Sequence, residues 1–105
     1  MVDKLILEHY FKEKILRPRT MKSYSQAMQK FTSCMSKLGV NSIKHVTRDN
    51  LLEWRDRELR VNGLSATSWN SYCRQLRAVL TFALEQGLVH WPENYFKTLQ
   101  VRAPG

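Results

Sequence analysis

The stretch Leu64-Ser65-Ala66-Thr67-Ser68-Trp69-Asn70-Ser71-Tyr72-Cys73-Arg74-Gln75-Leu76-Arg77-Ala78-Val79-Leu80-Thr81-Phe82-Ala83-Leu84-Glu85-Gln86-Gly87 decides the fold. Apolar side chains recur in it at Trp69, Tyr72, Cys73, Leu76, Val79, Leu80 and Ala83, in steps of three and four. That period belongs to an α-helix with one face to bury. Ser65 stands where its hydroxyl can accept a hydrogen bond from a free first-turn N–H, and Gly87 stands where a left-handed residue closes a helix. The spacing therefore predicts a helix over about 65–86.

The same punctuation repeats outward from this stretch. Gly39 and Gly63 each follow an apolar helical pattern, and Asp3 and Thr47 are cap residues like Ser65. An apolar pair five apart straddles each cap: Val2 with Leu7, Val46 with Leu51, Leu64 with Trp69. This is the spacing of a hydrophobic staple. Thr20, after the stiff Arg17-Pro18-Arg19, opens the remaining helix, and Pro18 disfavours helix at Arg17. The predicted helices cover about 3–16, 20–38, 47–61 and 65–86, with a short C-terminal helical turn from Pro92 to Phe96. The segment Val40–Lys44 is β-branched but short and has no pairing partner, so no strand is expected. Helix 2 buries Tyr24, Ala27, Met28, Phe31, Met35 and Leu38. Helix 1 offers Leu5, Ile6, Leu7, Tyr10, Phe11 and Ile15, and helix 3 offers Leu51, Leu52, Trp54 and Leu59. Four helices on short connections in 105 residues make an all-α fold, a small four-helix bundle.

Seventeen Lys+Arg against nine Asp+Glu leave a net charge of +8, which suits a polyanionic partner. Between residues 41 and 64 five bases meet four acids, so helix 3 reads as a mixed-sign solvated face. The excess gathers around the start of helix 2, at Lys12, Lys14, Arg17, Arg19 and Lys22. With its apolar stripe inward, helix 2 turns Lys22, Gln26, Gln29 and Ser33 outward, beside Arg19 and Lys30. Helix 4 turns Thr67, Ser71, Arg74 and Ala78 outward, flanked by Asn70, Gln75 and Arg77. Acids are missing from both faces until Glu85. A solvated face ordinarily interleaves Glu with Lys. Cations mixed with amides and hydroxyls instead suit phosphates, base edges and sugars.

Other chemistry has no foothold in the chain. No apolar run approaches the roughly 20 residues that span a bilayer. His9, His45 and His90 are scattered and stand at no ligand spacing, so neither a metal nor any other cofactor is expected. Cys34 and Cys73 lie on or beside apolar faces, with no His or Asn arranged to activate a thiolate, and fit reduced, packed roles. Neither phosphate-cradling glycine motif occurs. No catalytic constellation is visible, and the chain is not expected to be an enzyme by itself.

One longer pattern orders these pieces. Arg19-Thr20 with Tyr24 and Phe31 comes first, then Val46-Thr47 with Leu51-Leu52. Leu64 to Asn70, Leu76-Arg77, Phe82-Ala83 and Gly87-Leu88-Val89 follow. Together they resemble the N-terminal core-binding, SAM-like domain of tyrosine recombinases of the phage integrase type, over about residues 5–100. Two positions depart from the family pattern: Ser68 stands at the helix-4 threonine, and Trp91-Pro92 replaces an Asn-Pro. The resemblance implies a DNA-binding module that lays its second and fourth helices on double-stranded DNA at the core recombination site. The family's catalytic groups sit in a separate C-terminal domain, so residues 1–100 would be the DNA-binding domain and 101–105 a linker toward it. The parent would be a DNA integration and recombination enzyme of a mobile element, working as a tetramer on paired sites. The isolated domain would be monomeric, cytoplasmic in a bacterium or phage-infected cell, nucleoid-associated and away from membranes. The expected DNA contacts are Arg19, Thr20, Lys22, Gln26, Gln29, Lys30, Thr67, Asn70, Ser71, Arg74 and Arg77. The other reading of the basic faces is a protein-interaction module for an acidic partner; Phe82, off the helix-4 stripe, could dock on a neighbour, although partial burial under helix 1 is the expected place for it.

Overall fold

The computed structural model describes residues 2–102, with side chains from residue 5. Four helices carry the fold: α1 (Val2–Glu13), α2 (Pro18–Lys37), α3 (Arg48–Asp56) and α4 (Ala66–Glu85). Short 3₁₀ turns at Ile43–His45 and Tyr95–Thr98 complete it, and no strand occurs among the described residues. None of these helices is long and apolar enough to cross a membrane.

The caps explain most of the boundaries. Thr47 and Asn50 form a reciprocal box: Thr47 Oγ1 accepts from the Asn50 N–H at 3.2 Å, and Asn50 Oδ1 accepts from the Thr47 N–H at 2.9 Å. Ser65 Oγ accepts from the Ser68 N–H at 3.1 Å. Gly87, at φ +71°, ends α4: its own N–H donates to Leu84 O and the Leu88 N–H to Ala83 O, the paired bonds of a Schellman close. Three expectations need correction. α2 opens at Pro18 rather than Thr20, because proline's fixed φ and missing N–H suit the first helical position; Arg17 before it is extended. α1 begins at Val2, so Asp3 lies within it, and the staple expected of Val2 falls on side chains outside the described ones. The last turn starts at Tyr95, capped by Asn94 Oδ1 at 3.1 Å from the Phe96 N–H, and leaves Pro92 outside.

Helix 3 keeps its predicted span but changes pitch. After Asp56 it widens into a π-helical turn, Arg57–Val61, in which the Asn62 N–H reaches Arg57 O at 2.9 Å. The wider turn buries Glu58, whose Oε1 accepts from Asn62 Nδ2 at 3.1 Å. Two i,i+4 ion pairs, Arg57–Glu53 and Arg60–Asp56, occupy the outer side of this segment, as a mixed-sign solvated face should.

The predicted stripes of α2 and α4 supply the core. Phe31, Trp54, Trp69 and Phe96 are almost fully buried and join α2, α3, α4 and the last 3₁₀ turn. Phe31 lies 5.6 Å from both Trp54 and Phe96, and Trp54 meets Trp69 edge-on at 4.8 Å. Rings at these separations add to what their buried area contributes. The indole N–H groups of Trp69 and Trp91 are satisfied by Leu99 O and Ile43 O; the buried Trp54 Nε1 has no partner among the described residues. A second aromatic group ties α1 down: Tyr10 stacks on Tyr24 of α2 at 5.7 Å and meets Phe82 of α4 edge-on at 5.5 Å. Phe82 is thereby buried under α1 and is no docking residue. On α1 the apolar set is narrower than its composition suggests: Ile6 and Tyr10 are buried and Leu5 faces solvent, while Ile15, expected on the helix, lies exposed past its end at Glu13.

Candidate nucleic-acid interface

α2 and α4 pack against each other, and their polar faces meet at one seam. Gln75 Nε2 donates to Ser23 Oγ at 2.9 Å across it, and lies 3.4 Å from Ser71 Oγ on its own helix. Lower on α2, the Lys30 ammonium stands 5.8 Å from the centre of the Tyr72 ring, within cation–π range. These contacts were not legible as such: Ser23 and Gln75 look like ordinary polar neighbours until the helices are docked. Their consequence is positional. Lys22 and Gln26, within a turn of Ser23, and Ser71 and Arg74, within a turn of Gln75, flank the same seam.

Arg19, Lys22, Gln26, Gln29 and Lys30 on α2 are all exposed, as are Thr67, Arg74 and Arg77 on α4. Ser71 is half-buried at the seam. α2 contains no Asp or Glu, and α4 has none before Glu85, nearly three turns beyond Gln75. Among the described residues, every ion pair lies in the α3 segment, so none of these five cations is neutralised by a carboxylate. Electrostatically, the seam is a positive strip with amide and hydroxyl groups between the charges.

Two expected contacts do not belong to that strip. Asn70 is committed elsewhere: its Nδ2 donates to Val101 O at 2.7 Å and its Oδ1 accepts from the Val101 N–H at 2.8 Å. Both polar atoms of the amide are thus engaged by the C-terminal segment, each through one bond, so the edge that would pair with a base is already taken. Thr20 is half-buried, four and seven residues before Tyr24 and Ala27, and so shares the inward side of α2.

The C-terminal segment is itself held by side chains of α3 and α4. Arg55 Nη1 and Trp69 Nε1 both donate to Leu99 O, at 3.3 and 2.8 Å, and Arg48 Nε donates to Thr98 Oγ1 at 3.3 Å. Asn94, buried, donates to Arg77 O and Thr81 Oγ1 and so pins the preceding loop to α4.

Burial raises the thiol of Cys73 to about 12 and also pushes up that of Cys34, beside which Arg57 acts in the opposite sense. Both thiols are unpaired, and neither has the low pKa of a nucleophile. Among the described residues, no three His, Cys, Asp or Glu side chains gather in a way that could hold a metal ion.

Comparison with known proteins bears on the family of the chain. The family model described as phage integrase, N-terminal SAM-like domain, matches residues 4–87, from α1 to the end of α4. A Pseudomonas syringae protein provisionally named tyrosine recombinase XerC is 34% identical over 96 residues, which are 91% of this chain and 19% of that protein. The chain therefore spans about a fifth of that relative's length. No solved structure matches significantly. Four helices in the expected order and a family match across all of them place this chain in the phage integrase N-terminal, SAM-like domain family.

Proposed function

We propose that this chain is the DNA-gripping module of a site-specific tyrosine recombinase and binds duplex DNA along the α2–α4 seam. The observation that carries the reading is the exposed strip of Arg19, Lys22, Lys30, Arg74 and Arg77, none of which forms an ion pair among the described residues, although Glu58 and Glu85 line clefts beside Lys30 and Arg77. A major groove is wide enough for a helix, and small residues such as Thr67 and Ser71 let a helix approach closely. The five cations hold backbone phosphates and set orientation. Gln26 and Gln29 carry amides able to meet base edges, with Ser71 and Thr67 as short donors to sugar or phosphate. Bond cleavage belongs to a separate catalytic domain in this reading, with residues 1–100 binding and residues 101–105 leading toward that domain. The whole recombinase would assemble as several protomers on paired sites.

Titration of a labelled duplex with increasing salt tests this. With about five phosphates engaged, log K falls against log salt with a slope of about −4 to −5. Lys22→Glu combined with Arg74→Glu abolishes binding while the circular dichroism melt is unchanged, since both side chains are exposed. Full affinity in that double variant would refute the seam as the binding surface. A protein adaptor for an acidic partner would use the same basic faces, and the duplex titration separates the two, since an adaptor would show only a salt-labile background independent of duplex length.

A further inference from the structure

A cleft of about 420 Å³ opens between the end of α1 and the C-terminal half of α4, beside the seam. Its rim carries Lys14 from just past α1 and Arg74, Arg77 and Glu85 from α4; Tyr10 and Phe82 line its base. That base is firm, because both rings are buried and meet edge-on at 5.5 Å. An apolar wall behind a charged rim lowers the local dielectric and strengthens each charge's pull on an anion. Lys14, Arg74 and Arg77 are exposed, and among the described residues none is within ion-pair distance of a carboxylate, Glu85 included. Arg74 and Arg77 also belong to the strip along the seam, so the cleft is continuous with it.

We propose that this cleft is a phosphate subsite holding one backbone phosphate of the bound duplex, with Lys14 bringing α1 into the interface and Glu85 marking its edge. The inference rests on the DNA-binding reading above and adds to it a third helix and a boundary. A duplex lying on the seam alone would touch two helices. One that also enters the cleft is fixed in rotation about the α4 axis, because Lys14 holds it from the side.

Lys14→Gln and Glu85→Gln, each measured by fluorescence anisotropy on the same duplex across a range of salt, test the subsite. Loss of one phosphate contact makes the slope of log K against log salt shallower by about 0.9 in Lys14→Gln. Removal of the lone carboxylate tightens binding about threefold in Glu85→Gln, the scale of one exposed charge interaction. Both side chains are exposed, so neither change disturbs the core. If Lys14→Gln keeps the slope of the unsubstituted chain while Lys22→Glu with Arg74→Glu still abolishes binding, the cleft falls and the seam stands. If the unsubstituted chain itself shows no salt-dependent binding, both fall.

Discussion

Asn70 grips the peptide of Val101 by both its N–H and its C=O, at 2.8 and 2.7 Å. Each such bond contributes about 0.5–1.5 kcal/mol net. Asn70→Ala should therefore lower stability by about 1–3 kcal/mol, and the Val101 amide should exchange with deuterium much faster than before. Duplex affinity at fixed salt should stay the same, since the amide edge of Asn70 that would pair with a base is taken by Val101. At this scale the sequence was half legible. The exposed cations and Gln26 and Gln29 stand where helical period puts them, because period alone decides which way they face. Asn70 does not, because its partner lies 31 residues on. A polar side chain on the rim of a helix reads the same in sequence whether its amide meets solvent or a distant strand of chain. Gln75 was obscured for the same reason: its bond to Ser23 spans 52 residues, and no local signal marks it.

The helices themselves were more legible, because their ends are written locally. The Thr47 box, the Ser65 cap and the closing glycines all depend on residues within one turn of each other. Gly87 gives the cleanest measure of this. Space for a β-carbon is open there, with nothing within 4 Å, so the whole penalty of a side chain comes from φ +71°. Gly87→Ala should cost about 1–2 kcal/mol, seen as a lower melting temperature with no change in helix content. What stayed hidden were changes of pitch. Arg57–Val61 has the composition of ordinary α-helix, yet it winds as a π turn that buries Glu58 and then closes through the Leu64 N–H on Glu58 O. Nothing in five consecutive residues announces that choice; it depends on how α3 must end against α2 and α4.

Across the whole molecule, the core fixes the direction of the pH response. Burial holds the Cys73 thiol at about 12, against 9.0 in an open chain, and the Tyr10 phenol at about 12, against 10.0. In both cases the folded state keeps a proton that the unfolded state releases. Stability is therefore whole below about pH 9 and falls as pH rises from 9 toward 12. Thermal melts should be flat from neutral pH to about 9 and then drop, with a gentler fall in Cys73→Ala. The fold class was readable at this scale because four amphipathic stripes have few ways to bury one another. The way the chain leaves was not, because Leu99 and Val101 are held by residues of α3 and α4 that carry no local mark of that duty. Those bonds have a mechanical corollary. A load applied at Arg102 passes through Val101 into Asn70, one turn into the helix assigned to the duplex, and through Leu99 into Trp69 at the centre of the core. Both anchors lie on α4, so strain on the tail is felt first by that helix.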